Sequence, residues 1–415
     1  MLTGRALFGI GFIIINLLAY GIMLQTGELI GDVKGNVVKD YYSLFLSAFL
    51  VCSSYFFVLF ILFSSLIKIK SPKFKFKFEK LSANRIGVLL LILQVFFIAF
   101  SLLNGVNIAG SGNTSTGSIF SIFWVFFPID LFFVIYYGFY RHSYFFKPNL
   151  AIAIVSSVLR GRADIFLLIL FFEVSKRIRN KTLKIKKLFF VGLITLCFYP
   201  ILMVFKFSFR LYLGEGADQS LDYFIFELFD ESLKEGYFHA VYSGVEHIIS
   251  RLQTVSIVSE IGRFSNQLQD IYFQGGFYPF WLEGLHGIIL DQSLGEPRNV
   301  PLGTAFTAVG DFNWTFNVGD WNTNPGLAGW LMLNPLWFGG YFLYILFLCT
   351  MSVIFTKMIG ESDMKVDMLW YAWAFFLMPA WFGVFFLFVY TLLLFFVIKL
   401  ILSSIPPIKI MSKSL

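Results

Sequence analysis

The sequence has little of what most soluble enzymes use for chemistry. Among its 415 residues there are three cysteines and four histidines. Cys52, Cys197 and Cys349 all lie in apolar segments, so we predict no disulfide bond in an aqueous loop. The chain also lacks a cluster of metal-ligating residues, a glycine-rich phosphate loop ending in Lys-Ser or Lys-Thr, and an Asp-x-Asp pair. A metal-dependent or nucleotide-driven reaction has no support, and we expect no cofactor.

Hydrophobic residues are instead abundant. They make up 58% of the chain, 55 residues are phenylalanine, and the mean hydropathy is +0.76. This composition lies far outside the usual range of soluble proteins and predicts an all-α polytopic integral membrane protein. The first apolar segment, residues 6–24, is long enough to span the bilayer and has no clear small-residue cleavage site. We interpret it as the first transmembrane helix rather than as a signal peptide.

Apolar length and basic loops together predict the topology. A helix needs about 20 apolar residues to cross the hydrocarbon layer, and cytoplasmic loops collect lysine and arginine. The loop between Lys68 and Arg85 is rich in lysine. We therefore predict that this loop and the N-terminus are cytoplasmic. Lys409 and Lys413 predict a cytoplasmic C-terminus. We predict about ten membrane segments in all. Two are the short helices of a hairpin, described next, and the other eight are residues 6–24, 43–66, 86–103, 119–139, 188–206, 329–355, 368–384 and 386–402.

Residues 150–174 lie between two strongly basic stretches, RHSYFFKPN and KRIRNKTLKIKK, and both stretches are expected on the cytoplasmic side. The segment must therefore cross an even number of times. The simplest solution is two short helices, 149–159 and 163–175, with Arg160-Gly161-Arg162 at the tip. Arginine is costly in the middle of a bilayer, so we expect the tip near the outer face or at the floor of an outward-facing cavity.

A large outer loop, residues 207–327, separates an N-terminal bundle (1–206) from C-terminal transmembrane helices (328–415). Acidic residues strongly outnumber basic ones in this loop. Apolar residues recur at three- and four-residue spacing over 239–260, which predicts a helix with His247 and Arg251 on its opposite face. Beyond that helix the loop is rich in glycine, asparagine and aromatic residues. Such a mixture suits either carbohydrate binding or an irregular lid over the bundle.

Four stretches carry a resemblance to a known family. They are LRGRADIF at 159–166, GRFSNQLQDIYFQGGFYPF at 262–280, GEPRNVP at 295–301 and NPGLAGWLMLNPLWFGGY at 324–341. With the bundle, the large outer loop in the second half and the Arg-Gly tip between two short helices, they resemble the Wzy-type polymerases of O-antigen and capsule oligosaccharide repeat units. The layout of the resemblance covers nearly the whole chain, while its motifs are short.

The resemblance implies glycosyl transfer on the outer face of the bacterial inner membrane. A growing glycan on undecaprenyl pyrophosphate would be moved onto the non-reducing-end hydroxyl of an incoming lipid-linked repeat unit. Arginines aimed at the lipid pyrophosphate would stabilise its developing charge, and a base would take the acceptor proton. The implied partners are undecaprenyl-pyrophosphate-linked glycans, membrane lipid, and a chain-length regulator and flippase of the same pathway. No nucleic acid is implied.

Charged residues in unusual places are the candidates for the site. Two guanidiniums on a minimal hairpin exceed what anchoring requires, although pairing with Asp130 or Asp164 is the simpler alternative. An arginine in the acidic loop could equally balance its neighbours, and Glu246 and Glu283 compete with the histidines as the base. We predict the catalytic residues Arg160, Arg162, Arg251, Arg263 and His247, and the substrate-binding residues Arg298, Arg210, Asp130, Tyr272 and His286.

Other functions compete with polymerisation. A flippase or other transporter of lipid-linked sugars would often show repeated halves with helices broken at matching places, and no internal repeat is visible in the sequence. An O-antigen ligase would use the same lipid-linked donor and differ in its acceptor. A membrane-bound acyltransferase would carry a His/Asp motif within the spans, and the sequence shows no convincing one.

Overall fold

A computed structural model describes residues 3–70, 72, 74, 76, 78–108, 118–162, 164–214, 220–294, 299–310 and 322–406. This described chain folds into helices that follow one another with short connections. In chain order the helices are α1 (Gly4–Thr26), α2 (Tyr41–Leu66), α3 (Glu79–Asn104), α4 (Ile119–Phe126), α5 (Ile129–Tyr140), α6 (Phe146–Leu159), α7 (Asp164–Arg179), α8 (Ile185–Gly214), α9 (Leu221–Leu233), α10 (Tyr237–Leu252), α11 (Val255–Arg263), α12 (Ser265–Phe273), α13 (Leu285–Leu294), α14 (Leu302–Val309), α15 (Gly326–Leu333), α16 (Phe338–Ile359), α17 (Lys365–Ala372) and α18 (Phe382–Ser404).

Seven helical stretches of the described chain are long and apolar enough to cross a membrane. Many of their large apolar side chains are exposed, for example Leu17 and Leu18 of α1. Helices that are apolar on the outside as well as the inside suit lipid, so the chain is a helical multi-pass membrane protein, as its composition predicts. The stretches are Gly4–Thr26, Tyr41–Leu66, Leu81–Asn104, Ile119–Tyr140, Gly192–Phe209, Pro335–Ile359 and Phe382–Ser404.

Helix α1 illustrates how local sequence sets the ends of a span. The hydroxyl of Thr3 accepts the N–H of Ala6 at 3.1 Å and caps the first turn. At the other end Gly27 adopts the left-handed conformation (φ +71°) and donates its N–H to the carbonyl of Met23. In the middle of the span lies one fully buried amide, that of Asn16. Its nitrogen donates to the carbonyl of Phe12 at 2.9 Å, while its oxygen needs a partner from another part of the chain.

One end of the bundle is held by ion pairs, and we call it the basic end. The pairs join helices from both halves of the sequence, including α1, α3, α7, α17 and α18. The ammonium of Lys399 is also buried and donates to the carbonyl of Ile359 at 2.7 Å. The basic end is therefore a connected structural unit, and its ion pairs are Arg5–Asp367, Arg179–Asp367, Arg141–Glu173 and Lys399–Glu79.

The predicted hairpin is confirmed. Helices α6 and α7 pack against each other and are joined at the tip, where Gly161 adopts a φ of +65° that favours glycine. They have 14 and 16 residues, which corresponds to lengths of about 21 and 24 Å. Both lengths fall short of the hydrocarbon thickness of about 30 Å. The tip therefore ends inside the bundle.

The span predicted at 329–355 is found at Pro335–Ile359, but its predicted start is wrong because a break precedes Pro335. Helix α15 ends at Leu333, and the next helical stretch begins at Pro335. The side chain of Asn334 accepts the N–H of Leu336 at 3.0 Å and caps this new start. Proline is favourable in the first turn of a helix because its missing N–H needs no partner there. Apolar length alone does not reveal this boundary.

The predicted span at 368–384 is also wrong, because the helix is shorter. Helix α17 continues as a π-helix only to Leu377. Pro379 follows, and Ala380 adopts a left-handed φ of +61° before α18 begins at Phe382. Proline does not continue a helix, and a positive φ redirects the chain. The result is a second short membrane helix that, like the hairpin, begins at the basic end.

The helix predicted over 239–260 is divided in two. Helix α10 ends at Leu252, the backbone becomes extended at Gln253, and α11 begins at Val255. The side-chain carbonyl of Gln253 accepts the N–H of Ser256 at 3.1 Å. The glutamine therefore acts as a helix cap. Glutamine is not among the preferred capping residues, so the sequence does not predict this role.

Helix α11 is part of the core of the bundle rather than of an external loop. Seven of its nine residues are buried, and it packs against α1, α2 and α15. The N–H of Thr254, just before it, donates to the side-chain oxygen of Asn16 at 2.9 Å. Helix α15 is anchored in turn by the N–H of Leu327, which donates to the carbonyl of Met378. The long segment between α8 and α16 thus returns twice into the bundle.

Candidate functional site

Two arginines and two aspartates meet at the tip of the hairpin. Arg160 donates through both terminal nitrogens to the two oxygens of Asp130, at 3.0 and 2.7 Å. Arg162 donates to Asp130 at 2.8 Å and to Asp164 at 2.5 Å. Asp130 lies near the middle of the span Ile119–Tyr140, so the tip lies at mid-depth and not at the outer end of the bundle. We call these four residues the arginine cluster.

Local sequence positions the members of the cluster. Pro128 interrupts the span between α4 and α5, and Asp130 therefore lies in the first turn of α5. The Nε of Arg160 donates to the carbonyl and the hydroxyl of Ser156, at 3.2 and 3.1 Å. The guanidinium carbon of Arg160 lies 4.9 Å from the ring centre of Phe97. Oxygen partners on its edges and an aromatic ring on its face hold this guanidinium in one orientation.

The cluster is closed on one side and open on the other. The side chain of Arg160 is 1% exposed, whereas those of Arg162, Asp130 and Asp164 are 37%, 40% and 54% exposed. The four formal charges cancel, which meets the requirement that charges inside a bundle be paired. Arg160 therefore holds Asp130 from the buried side of the cluster. Arg162 is the arginine that an entering molecule can reach.

Arg251 lies on α10, where it pairs with an acid of its own. It donates to Asp32 at 2.9 Å, and Asp32 belongs to the connection between α1 and α2. Burial raises the pKa of Asp32, while the positive charge of Arg251 opposes that rise. A second pair, Lys34 with Glu246 at 2.8 Å, joins the same two parts of the fold. These contacts clasp α10 to the connection between α1 and α2.

Arg263 belongs to a second polar site, which we call the Glu260 pocket. Arg263 donates to the carboxylate of Glu260 at 3.0 Å, and the Glu260 side chain is only 5% exposed. Burial raises the pKa of Glu260, while Arg263 and then Lys39 oppose that rise. The pocket has a volume of about 190 Å³, and its polar lining residues are Lys39, Asp40, Ser43, Ser259, Glu260 and Arg263.

The aromatic and histidine candidates are packed against other rings. The ring of Tyr272 belongs to an aromatic group at the start of the span Pro335–Ile359, and Tyr272 also lines a cavity. The Nε2 of His286 contacts the carbonyl of Trp281. The closest ring centres to these candidates are those of Trp337 at 4.6 Å from Tyr272, Phe386 at 4.3 Å from His286, and Tyr199 at 6.3 Å from His247.

The structure brings together three of the predicted site residues, Arg160, Arg162 and Asp130. The arginines of α10 and α11 are engaged elsewhere, with Asp32 and Glu260 as described above. Arg210 belongs to α8, and its side chain lies outside the described part of the chain. Arg298 lies outside the described residues altogether. Convergence is therefore observed for the hairpin and α5 alone among the candidates that the structure describes.

Within the described residues, no group of three or more His, Cys, Asp or Glu side chains could hold a metal ion. Comparison with known proteins gives no match. No family model matches the chain, and no curated protein and no solved structure is significantly similar to it. The geometry of the site offers a reachable guanidinium, which suits an anion, and carboxylates, which can accept a proton.

Sequence reasoning does not single out Glu260. It is one of many acids in an acidic segment, and its burial results from the packing of α11 against α2 and α15. One signal is present in the sequence, because Glu260 ends the uncharged run VSIVS at 255–259. A glutamate in such a run is buried only when it is paired, and Arg263 lies one helical turn away. That spacing is a usable indication of a buried pair.

Glu283 is a buried carboxylate of the long segment, and it makes stability depend on pH. Its Oε1 accepts the N–H of Leu302 at 3.3 Å. Burial raises the pKa of Glu283 to about 8, although this hydrogen bond opposes the rise. The ordinary pKa of glutamate is about 4.3. Between these two values the folded state holds a proton that the unfolded state has lost, so stability falls as the pH rises through this window.

We therefore expect the melting temperature of the purified protein in detergent to fall between pH 6 and pH 9. The variant Glu283→Gln is neutral at both pH values and should lose less of its melting temperature over this interval. Glu231→Gln is a matched control, because Glu231 is an exposed glutamate of α9, and it should keep the pH dependence of the parent. Equal pH dependence in Glu283→Gln and the parent would contradict the assignment. The measurement is thermal unfolding followed by intrinsic fluorescence.

Proposed function

We propose that the protein polymerises oligosaccharide repeat units that are carried on undecaprenyl pyrophosphate. The bond between the anomeric carbon and the pyrophosphate breaks, and a bond forms to a hydroxyl of the next lipid-linked unit. The enzyme is a multi-pass protein of the bacterial cytoplasmic membrane, and its basic end faces the cytoplasm because basic loops remain inside. Ten membrane segments make up the bundle, namely seven spans, the two hairpin helices and α17.

The observation that carries this proposal is the open side of the arginine cluster. Ionisable side chains within a membrane bundle are rare, and partly exposed ones mark the path of a substrate or ion. Arg162 is 37% exposed, although it lies at the hairpin tip in the middle of the bundle. A guanidinium offers paired N–H donors that match phosphate oxygens, and it stabilises the negative charge that develops on a pyrophosphate leaving group. This chemistry agrees with the resemblance carried by LRGRADIF.

The cluster is neutral, so a pyrophosphate gains the full charge of Arg162 only by replacing a carboxylate. Asp130 is held by both arginines, whereas Asp164 is held by Arg162 alone and is the most exposed member. Asp164 is therefore the group that yields its place. Once released, its carboxylate lies beside the bound phosphate and is free to accept the proton of the attacking hydroxyl. Donor binding thus prepares the base.

Glu260 has the chemistry of a base but the wrong position for this step. Its pocket borders Ser43 in the first turn of α2, at the end of the bundle opposite the basic end. The arginine cluster lies at mid-span, whereas the Glu260 pocket lies near the end of a span. Half the length of a membrane span is about 15 Å, which separates the two sites in depth. Reacting atoms must approach to about 3.5 Å. A hydroxyl that attacks a carbon beside Arg162 is therefore beyond the reach of Glu260.

Transport of lipid-linked sugar is the second candidate, and one observation favours it. The break between α4 and α5, the hairpin tip and the break after α17 all lie within the bundle. Transporters bind their substrates at such discontinuous helices near the middle of the membrane. The arginine cluster would then be a passing site for the pyrophosphate rather than a site of reaction.

Deletion of the gene in the encoding bacterium, followed by gel analysis of its surface glycan, separates these functions. Loss of the ladder with a single repeat unit retained is the result expected for a polymerase. Loss of all surface glycan would favour transport, and long chains that remain on the lipid carrier would favour a ligase. The matching biochemical test uses purified protein in vesicles with lipid-linked repeat units, where a ladder and released lipid pyrophosphate should both form.

A further inference from the structure

A second cavity lies in the long segment, where α12 and α13 face each other. Its volume is about 430 Å³, within the range of small-molecule sites in proteins. Tyr272 and Phe273, the last residues of α12, line the cavity together with Leu290 and Asp291 of α13. The ring of Tyr272 rests on Trp337, so the cavity adjoins the start of the span Pro335–Ile359.

A fixed polar strip lines one side of this cavity. The carboxylate of Asp291 accepts the hydroxyl of Tyr278 and the N–H of Asn299, the latter at 3.2 Å. The side-chain amide of Asn299 donates to the carbonyl of Gly275 at 2.8 Å. The backbone N–H of Tyr278 donates to the carbonyl of Val300 at 2.9 Å. These bonds hold the carboxylate and the amide in place before any ligand arrives.

An exposed aromatic face also lines the cavity. The ring of Phe273 is 72% exposed and meets the ring of Tyr272 edge to face at 5.5 Å. Gly275, just beyond, has a φ of +76° and open space where a side chain would project. A ligand can therefore approach the rings and the polar strip together. A flat aromatic face beside a carboxylate and an amide suits a pyranose, whose C–H face is apolar and whose edge carries hydroxyls.

We propose that this cavity binds a sugar ring of the glycan and holds the chain during transfer. The inference rests on the proposed function for the identity of the glycan. Helix α12 runs from beside the Glu260 pocket to the cavity, a length of about 14 Å for its nine residues. A short oligosaccharide spans that distance, with one sugar on the rings of Tyr272 and Phe273 and hydroxyls of another at Glu260 and Arg263.

Binding of a soluble oligosaccharide to the full-length protein in detergent tests this site. The probe is the repeat-unit oligosaccharide that mild acid releases from the surface polysaccharide of the encoding bacterium, and the readout is isothermal titration calorimetry. Phe273→Ala should weaken binding by about tenfold, which is the loss of affinity expected when one aromatic contact is removed. Phe273→Leu keeps an apolar side chain but removes the ring, and it should weaken binding to a similar extent. Phe238→Ala, at an aromatic residue on α10 that is 91% exposed, should bind like the parent.

The outcomes separate this site from the proposed reaction. Absence of binding to the parent protein, or equal binding by Phe273→Ala and the parent, would overturn the sugar site even if a ladder forms in vesicles. Displacement of the bound oligosaccharide by undecaprenyl phosphate, but not by excess free sugar, would also overturn the sugar site, because the cavity would then hold lipid. Sugar binding that depends on Phe273, together with no ladder from the parent protein, would support the site and refute the polymerase. If the parent protein does form a ladder, Phe273→Ala should shift the product to shorter chains.

Discussion

Replacing Arg162 with alanine should slow glycan transfer by about 10²–10³-fold, the usual cost of removing one preorganised donor from a developing negative charge. The protein should remain folded, because the Arg162 side chain is partly exposed and Asp130 keeps Arg160 as its partner. The measurement is the rate of ladder formation by purified protein in vesicles with lipid-linked repeat units. Arg162→Lys should fall between the parent and Arg162→Ala, since it keeps the charge but loses the paired donors.

Arg177→Ala is the matched control, because Arg177 is an exposed arginine at the far end of α7, the helix that follows the tip, and its ladder should equal that of the parent. Asp164→Asn gives a sharper signature of the exchange at Arg162. Without the competing carboxylate, the lipid-linked donor should bind more tightly and KM should fall. Without the base, kcat should fall as well. A normal ladder from Arg162→Ala, or an unchanged KM in Asp164→Asn, would refute the proposed exchange.

Replacing Asp130 with alanine should destabilise the fold by about 3 kcal/mol. Removal of one partner of a buried ion pair costs about 3–5 kcal/mol, and the lower value applies because Asp130 itself is partly exposed. Arg160 would be left with its charge buried and only Ser156 as an oxygen partner. The measurement is the shift in unfolding of the purified protein by heat and by denaturant, compared with the parent.

Two variants separate the ion pair from a general sensitivity of the region. Asp164→Ala should change stability by less than about 1 kcal/mol, because exposed ion pairs contribute little. The double variant Arg160→Met with Asp130→Leu should recover most of the lost stability, because apolar side chains of similar size can replace a buried pair. Equal destabilisation by Asp130→Ala and Asp164→Ala would show that burial of Arg160 is not what makes Asp130 important.

The membrane bundle was predictable because its signals are local. Apolar length and the positions of lysine and arginine predict α1, α2 and the hairpin within a few residues, and they predict α3 with a start seven residues too late. The hairpin is the clearest case, because the basic stretches on both sides require an even number of crossings. The breaks after Leu333 and Leu377 were missed, since apolar side chains continue through them and only Asn334, Pro335 and Pro379 mark the change.

The site was predictable in part. A carboxylate and two guanidiniums within apolar segments need partners, so the contact of Asp130 with Arg160 and Arg162 follows from the cost of unpaired charge in a membrane. Which arginine is buried and which is open does not follow, because exposure depends on how α3 and α5 pack around the tip. The Glu260 pocket was missed for the same reason. It exists because α11 lies inside the bundle, a tertiary fact that the division at Gln253 makes possible.

The hydrogen bond between Asn16 and Thr254 has a consequence for how the chain is made. The ribosome delivers α1 first, and the oxygen of Asn16 that Thr254 later satisfies has then no native partner in lipid. More than half of the chain must be synthesised before that partner exists. Native assembly around α1 is therefore completed late in biogenesis, and a nascent chain that stops before residue 254 leaves the oxygen of Asn16 without this partner.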